Sequence, residues 1–409
     1  MNELILITMA AALVMAGGCA AASPSPQSIT FGDDLAFLGQ HTEVIVLADP
    51  SGDARVAVSP AMQGRVFTSS ADGTGGISFG WINRELIASG KTLEHMNGYG
   101  GEDRFWLGPE GGQFSIFFAK GVTFDFENWF TPAPIDTEPF ELVSNTTGQA
   151  TLRKTMRLEN YSATVFDLTV DRQIRVLERE EAVVNLGIIP AEPIRLVCYE
   201  SINQLTNSGA NGWQKQTGLL SIWILGMYNP SPRTTVVVPF VAGPVAELGP
   251  IVNDTYFGKI PADRLQVKDG VLFFKCDGMQ RGKIGLTPQR AKNVLGSFDD
   301  ANNVLTIVQY NKPAGVTDYV NSMWQLQEHP YRGDTINSYN DGPTEPGGKP
   351  MGPFYELETS SAAAALQPGQ TIRHVHRTYH LQGSEKQLDA VAQSVLGVSI
   401  AQIKSAFAR

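Results

Sequence analysis

Two stretches near the C-terminal end decide the fold: Phe354-Tyr355-Glu356-Leu357-Glu358-Thr359 and Thr371-Ile372-Arg373-His374-Val375-His376-Arg377-Thr378-Tyr379-His380-Leu381, with the turn Leu366-Gln367-Pro368-Gly369 between them. Both read as strands, because aromatic and branched residues alternate with polar ones and a Pro-Gly pair interrupts the pattern. Alternation puts Glu356 and Glu358 on one face of the first strand. On the second it puts His374, His376, Thr378 and His380 on one face, with Arg377 and Tyr379 on the other.

Working outward, strand-length runs punctuated by Gly, Pro, Asn and Asp recur along the chain: Val44 to Leu47, Ala54 to Val58, Phe114 to Phe118, Val122 to Phe126, Thr164 to Val170, Ala182 to Ile189, Thr234 to Pro239, Gly270 to Cys276 and Val304 to Tyr310. Such spacing predicts a mainly β chain, built as a large antiparallel β-sandwich. Helical periodicity is confined to Glu385 to Ala408, where Leu388, Val391, Ala392, Val395, Ile400, Ile403 and Phe407 recur around Gly397. That segment, residues 385–409, reads as a helical hairpin packed on a sandwich spanning residues 31–384.

With 409 residues, 42% of them hydrophobic, the chain is long enough for a sizeable core. No GxGxxG or GxxxxGK[ST] loop is present, so neither a nucleotide nor any other cofactor is expected. The 41 acidic and 31 basic residues give a net charge of -10, and no Lys/Arg run tracks a phosphate backbone. Nucleic acid is therefore not an expected partner. The acidic total also weighs against a strongly acidic polysaccharide, unless a local basic cleft overrides it. There is no GxSxG, and no Cys sits in a nucleophile context.

At the N-terminus, the apolar run Leu4 to Met15 ends in Ala16-Gly17-Gly18-Cys19, the length and ending of a signal peptide. Small residues before a Cys resemble a bacterial lipobox. On that reading residues 1–19 form the signal, Cys19 is acylated, and residues 20–30 are a Ser/Pro/Ala tether. The protein would be exported and attached to the outer membrane through its lipid, facing the periplasm or the cell surface. Cys198 and Cys276 are either bridged or buried as small apolar residues.

Three segments read as polar, aromatic-rich loops: Gly98 to Gly112, Asn203 to Gly218, and Gln327 to Pro353 with Tyr331, Asp334, Asn337, Tyr339, Asn340 and Asp341. Long loops of this composition carry function. Trp81, Trp106, Trp129, Trp213 and Trp324 lie in or beside them or other Gly-rich turns. Each alone is a core ring, but as a set they suit a sugar, whose C–H faces stack on aromatics while Asn, Asp, Arg and Glu bond the hydroxyls.

Taken in order, three motifs resemble the galactose mutarotase (aldose 1-epimerase) superfamily, in particular its bacterial envelope branches. They are Val58-Ser59-Pro60-Ala61-Met62-Gln63-Gly64-Arg65-Val66 leading to Trp81-Ile82-Asn83, then Gly100-Gly101-Glu102-Asp103-Arg104-Phe105-Trp106-Leu107-Gly108-Pro109-Glu110, and then the 354–359 strand with its Pro-Gly turn and following strand. The resemblance implies a super-sandwich that binds a mono- or oligosaccharide and does acid/base chemistry at the anomeric centre. Glu356 or Glu358 matches the family base. Arg65, Asn83, Arg104, Trp106 and Glu110 would line the sugar, together with His95, Asn203, Tyr331, Asp334, Asn337, His374 and His380.

The family's mid-chain His is missing, because the corresponding segment Tyr199 to Asn207 holds none. Its acid would come from His376 or another His of that strand, from His95, or from Glu200. A Glu200 paired with Glu356 or Glu358 is instead the constellation of a glycoside hydrolase or lyase. A sugar-binding lipoprotein without catalysis is the remaining alternative. No carboxylate or Cys at metal spacing accompanies the histidines, and no metal is expected.

Overall fold

A computed structural model of the chain describes residues 29–188, 194–344 and 347–407. Residues 1–28, which hold the expected signal peptide, Cys19 and most of the expected tether, lie outside the described residues. So do the last residues of the two predicted segments Ala182 to Ile189 and Glu385 to Ala408.

Among the described residues the strands form antiparallel sheets of three, ten and five. The ten-stranded sheet carries the longest strands, including Gln149–Glu159, Val165–Val176, Arg195–Asn207 and Thr371–Gln382, in neighbouring positions. The five-stranded sheet runs in the order Gly282–Leu286, Ile336–Asn340, Tyr355–Ser360, Ser221–Tyr228, Arg104–Gly108. The three-stranded sheet abuts it, since Val66 and Asp103 exchange backbone hydrogen bonds at 3.1 and 3.3 Å. The result is a large antiparallel β-sandwich.

Period-two alternation builds the core. On the inner face of the five-stranded sheet Phe105, Leu107, Ile222 and Ile224 pack with Leu152, Phe166, Leu168 and Leu205 of the ten-stranded sheet, all fully buried or nearly so. Each such side chain contributes roughly 1.5–3 kcal/mol by leaving water. The outer face of the ten-stranded sheet is covered in part by the C-terminal helices Glu385–Leu396 and Ile400–Ser405. Leu388, Val391, Ala392 and Leu396 pack there with Phe298 and Tyr379. Ser384 and Ser399 open the two helices with capping boxes, and Gly397 takes φ 76° to end the first.

Three expectations fail. Ala182 to Ile189 is not a strand: Arg179–Leu186 is helical, with Glu180 and Glu181 in its first turn and Gly187 as a left-handed cap. Phe114 to Phe118 and Val122 to Phe126 are not paired strands: Phe117 and Phe118 are buried in the core and Phe124 packs against it, whereas Phe126 is exposed. Finally, none of the three expected loops is wholly structureless: Arg104–Gly108 inside Gly98 to Gly112 and Ile336–Asn340 inside Gln327 to Pro353 are strands of the five-stranded sheet, and Asn203 to Gly218 begins within the strand Arg195–Asn207. Cys198 and Cys276 are buried and unbridged.

Candidate functional site

The outer face of the five-stranded sheet forms the floor of a cleft of about 750 Å³. Its strand register fixes the chemistry. Gly285 pairs with Asn337, Asn337 with Glu358, Glu358 with Leu225, and Leu225 with Arg104, so these five residues run in one row across the sheet. The next row holds Lys283, Tyr339 and Glu356. Loops supply the walls, with Glu110, Phe126, Tyr256, Phe257, Trp324 and Asp334 all facing the space.

Glu358 is fully buried in this floor. Its Oε2 accepts the Trp223 indole N–H at 2.9 Å and a Lys283 ammonium hydrogen at 3.1 Å. Its Oε1 is buried with no hydrogen-bond partner among the described residues. Burial works against the Lys283 charge, but Glu358, Glu110 and Glu356 together hold its pKa above the usual lysine value. Glu356 accepts from Arg104 Nη2 at 3.1 Å, and the Arg104 guanidinium lies 4.3 Å from the Trp106 ring centre. Burial, reinforced by Glu358, pushes the Glu356 carboxyl well up, and this outweighs the pull of Arg104.

Two wall carboxyls are pushed the same way. Burial raises Glu110, which bonds Trp324. Burial also raises Asp334 to about 6, against the lowering effect of Tyr256, whose hydroxyl donates to Asp334 Oδ2 at 2.6 Å. Asp334 lies over Gly285, where an added Cβ would meet its Oδ2 at 1.9 Å. Gly285 is thus required by close approach. Two inter-strand spacings separate Gly285 from Glu358, roughly 10 Å at the backbone.

Of the residues expected from sequence, Glu110, Asp334 and Asn337 line the cleft, and Glu356, Glu358, Arg104 and Trp106 lie in or under its floor. His95 sits behind the wall, its Nδ1 bonded to the Trp129 carbonyl at 2.7 Å and its ring 4.5 Å from that of Phe126.

The others are elsewhere. His374, His376 and His380 were expected at the sugar, but they point into the inter-sheet core. His374 Nε2 and His376 Nδ1 both bond the Thr359 hydroxyl at 2.8 Å, and Thr359 faces away from Glu358. His380 bonds Glu102 at 3.0 Å and stacks on Phe79. Burial lowers the His374 and His376 pKa values to about 3 and about 4, so both are neutral. Asn203, paired across from His374, is also in the core and accepts from Arg172 at 2.5 Å.

Glu200 is on the opposite side of the ten-stranded sheet, bonded to Arg377 at 2.6 Å and Arg175 at 2.7 Å. Burial opposes its charge, yet the two arginines hold its pKa below the ordinary value. Arg65 is fully buried on the Gly100 carbonyl at 2.6 Å and Gln63 at 2.9 Å, and burial lowers it to about 9. Asn83 caps the helix Arg84–Ser89 by accepting from Leu86 N. Tyr331 bonds the Lys215 carbonyl and stacks on Phe114. None of these eight lines the cleft: their contacts lie in the core, at a helix end, in loops or on the far side of the ten-stranded sheet, with Arg65 Nε, His374 Nδ1 and His376 Nε2 buried without a partner among the described residues.

Sequence reasoning missed Lys283, Trp223, Arg281, Tyr256 and Phe257. Lys283 stands in a period-two run, Gly282 to Leu286, whose single cation marks the polar face. For the other four no local pattern was available.

The architecture is a galactose mutarotase-like β-sandwich fold, with a polar cleft on the outer face of its five-stranded sheet. The chain belongs to the Family of unknown function (DUF6786), whose model matches residues 29–407. Among solved structures it is similar to a candidate aldose 1-epimerase from Escherichia coli K12, at TM-score 0.50 and 12% identity over 84% of this chain and 99% of that one. It is equally similar to the Slr1438 protein from Synechocystis sp. PCC 6803, at TM-score 0.50 and 11% identity over 84% and 96%. A galactose mutarotase-like protein from Lactobacillus casei ATCC 334 aligns over 83% and 100% at TM-score 0.46 and 8% identity. No curated protein matches the chain by sequence.

Proposed function

We propose that the chain binds a mono- or oligosaccharide in the cleft and moves protons at its anomeric centre, as a mutarotase or epimerase does, with Glu358 as base and Asp334 as acid. The observation that carries this is Glu358: one oxygen is fixed by Trp223 and Lys283, and the other is buried without a partner on the cleft side of the sheet. A buried polar atom left unpaired costs free energy that a ligand hydroxyl would recover. Glu358 would take the anomeric hydroxyl proton while Asp334, whose pKa of about 6 keeps part of its population protonated near neutrality, gives its proton to the ring oxygen. The ring opens, the carbonyl face turns, and the reverse transfers close it. Lys283 steadies charge throughout.

Exchange between anomers, followed by NMR or polarimetry over a panel of sugars, tests the reading. The Glu358→Gln and Asp334→Asn variants are predicted to lose it. A second reading has its own support: no histidine lines the cleft among the described residues, and two carboxyls across a sugar also suit glycosidic bond cleavage. New reducing or unsaturated ends from an oligosaccharide panel would favour it.

Attachment through an acylated Cys19 belongs to the same proposal. Its support is the small-residue ending before that Cys. Cys19→Ala is predicted to release the protein from the membrane fraction, and unchanged fractionation would remove this part.

A further inference from the structure

We propose that the sugar taken by this cleft is acidic, carrying a carboxylate that binds Arg281; this rests on the sugar-binding reading above. Most cations around the cleft are committed. Lys283 is paired with Glu358, and Arg104 with Glu356. Arg281 differs. It lines the cleft, yet among the described residues its guanidinium makes no ion pair and no hydrogen bond, and its Nε is buried without a partner.

What holds Arg281 is Phe257, with the guanidinium carbon 3.8 Å from the ring centre. Stacking fixes the plane of the fork while leaving its donors unused, and a planar fork of donors matches a carboxylate bidentately. The cost of ordering the side chain is thus met before the ligand arrives. Lys349, an exposed cation without an ion pair among the described residues, stands on the same cleft and adds positive field there.

The acids nearby have partners of their own: Asp341, which also feels the Arg281 charge, accepts from the Tyr339 hydroxyl at 3.0 Å and from Gly352 N at 2.8 Å, and Asp334 accepts from the Tyr256 hydroxyl at 2.6 Å. Arg281 and Lys283 are two residues apart along one edge of the sheet, roughly 7 Å. Arg281 is four residues from Gly285, roughly 13 Å at the backbone, a span covered by its own extended side chain together with a substituent on the far side of the ring or on the next unit of an oligosaccharide. A hexuronate carries its carboxylate at such a position. The overall charge of -10 does not forbid this, because the local groups set the field inside a cleft.

The test is calorimetric binding to the full chain of matched pairs that differ only in that group: hexuronic acids or their oligomers against the neutral hexoses, with hexose 6-phosphates as a third arm. The predicted result is about tenfold or greater preference for the uronate, weakening with added salt, and loss of that preference but not of neutral-sugar binding in Arg281→Gln. Arg281→Lys, which keeps charge without the fork, should retain only part of it. Equal or tighter binding of the neutral member by the unaltered protein overturns the proposal whatever the variants do, as does preference for the phosphate or a uronate preference that survives Arg281→Gln. Binding of neutral sugars alone leaves the sugar-binding reading standing while sinking this one; no binding by any arm sinks both.

Discussion

Lys283 Nζ lies 3.1 Å from Glu358 Oε2, although the two residues stand on strands separated by a third, Ile336–Asn340. The lysine reaches across Asn337's strand to neutralise a carboxylate that is fully buried, while its own side chain is 11% exposed. Such a pair is costly to assemble and costlier to break. Lys283→Met should therefore destabilise the fold by roughly 3–5 kcal/mol, because it strands the Glu358 charge, whereas adding Glu358→Leu should recover much of that loss. Urea unfolding of the two variants checks this, and equal stability of single and double variants would contradict it.

The Gly285 position tests the cradle under Asp334 without removing a polar group. A Cβ there must displace the Asp334 carboxyl and press on the Asn337 amide, both ends of side chains rather than backbone, so the fold should survive Gly285→Ala. Sugar binding or turnover should fall by about 10²-fold, in line with small misplacements of reacting groups. Unaltered turnover in a folded variant would mean that Asp334 is not part of the site.

Asp334 should also leave a mark on stability. Its folded pKa of about 6 lies above the 3.8 of a free Asp, so between these pH values the folded state binds more protons than the unfolded one. Stability from this group is therefore full below about pH 4 and is lost as pH rises through 6, to the extent of roughly 3 kcal/mol. Asp334→Asn should flatten that part of the profile. In Tyr256→Phe, which removes a hydrogen bond that lowers the Asp334 pKa, a carboxyl NMR titration should show that pKa move up.

His374 and His376 act in the opposite sense. Their folded pKa values of about 3 and about 4 lie below the ordinary 6.5, so the unfolded chain takes up protons first as the solution is acidified. Stability should be flat above about pH 6.5 and should fall by several kcal/mol towards pH 4. Denaturant midpoints against pH give the measurement. Replacement of His376 by Gln should reduce the slope, and an unchanged slope would contradict the buried, neutral state.

These histidines also show what the sequence could and could not reveal. Period two correctly put His374, His376 and His380 on one face, but a strand cannot say which face meets the core. In a wide sheet the inner face tolerates polar groups that satisfy one another, as Thr359 does for two imidazoles and Glu102 for a third. Glu356 and Glu358 were legible because their motif is local and alternates cleanly. Lys283 is 75 residues from Glu358, and only the insertion of Ile336–Asn340 between their strands brings them together. Arg65 and Asn83 sit in recognisable motifs yet are committed to backbone groups, which no pattern of residue types discloses.

The central claim is that Glu358 is the base of a sugar site, and anomer exchange by NMR with the unaltered chain and Glu358→Gln tests it most directly. The account predicts catalysed exchange of at least one sugar that binds the cleft, reduced by about 10²- to 10⁴-fold in a Glu358→Gln variant that still folds. Exchange at an undiminished rate in that variant, or sugar binding by the unaltered chain with no exchange above the uncatalysed rate, would contradict it.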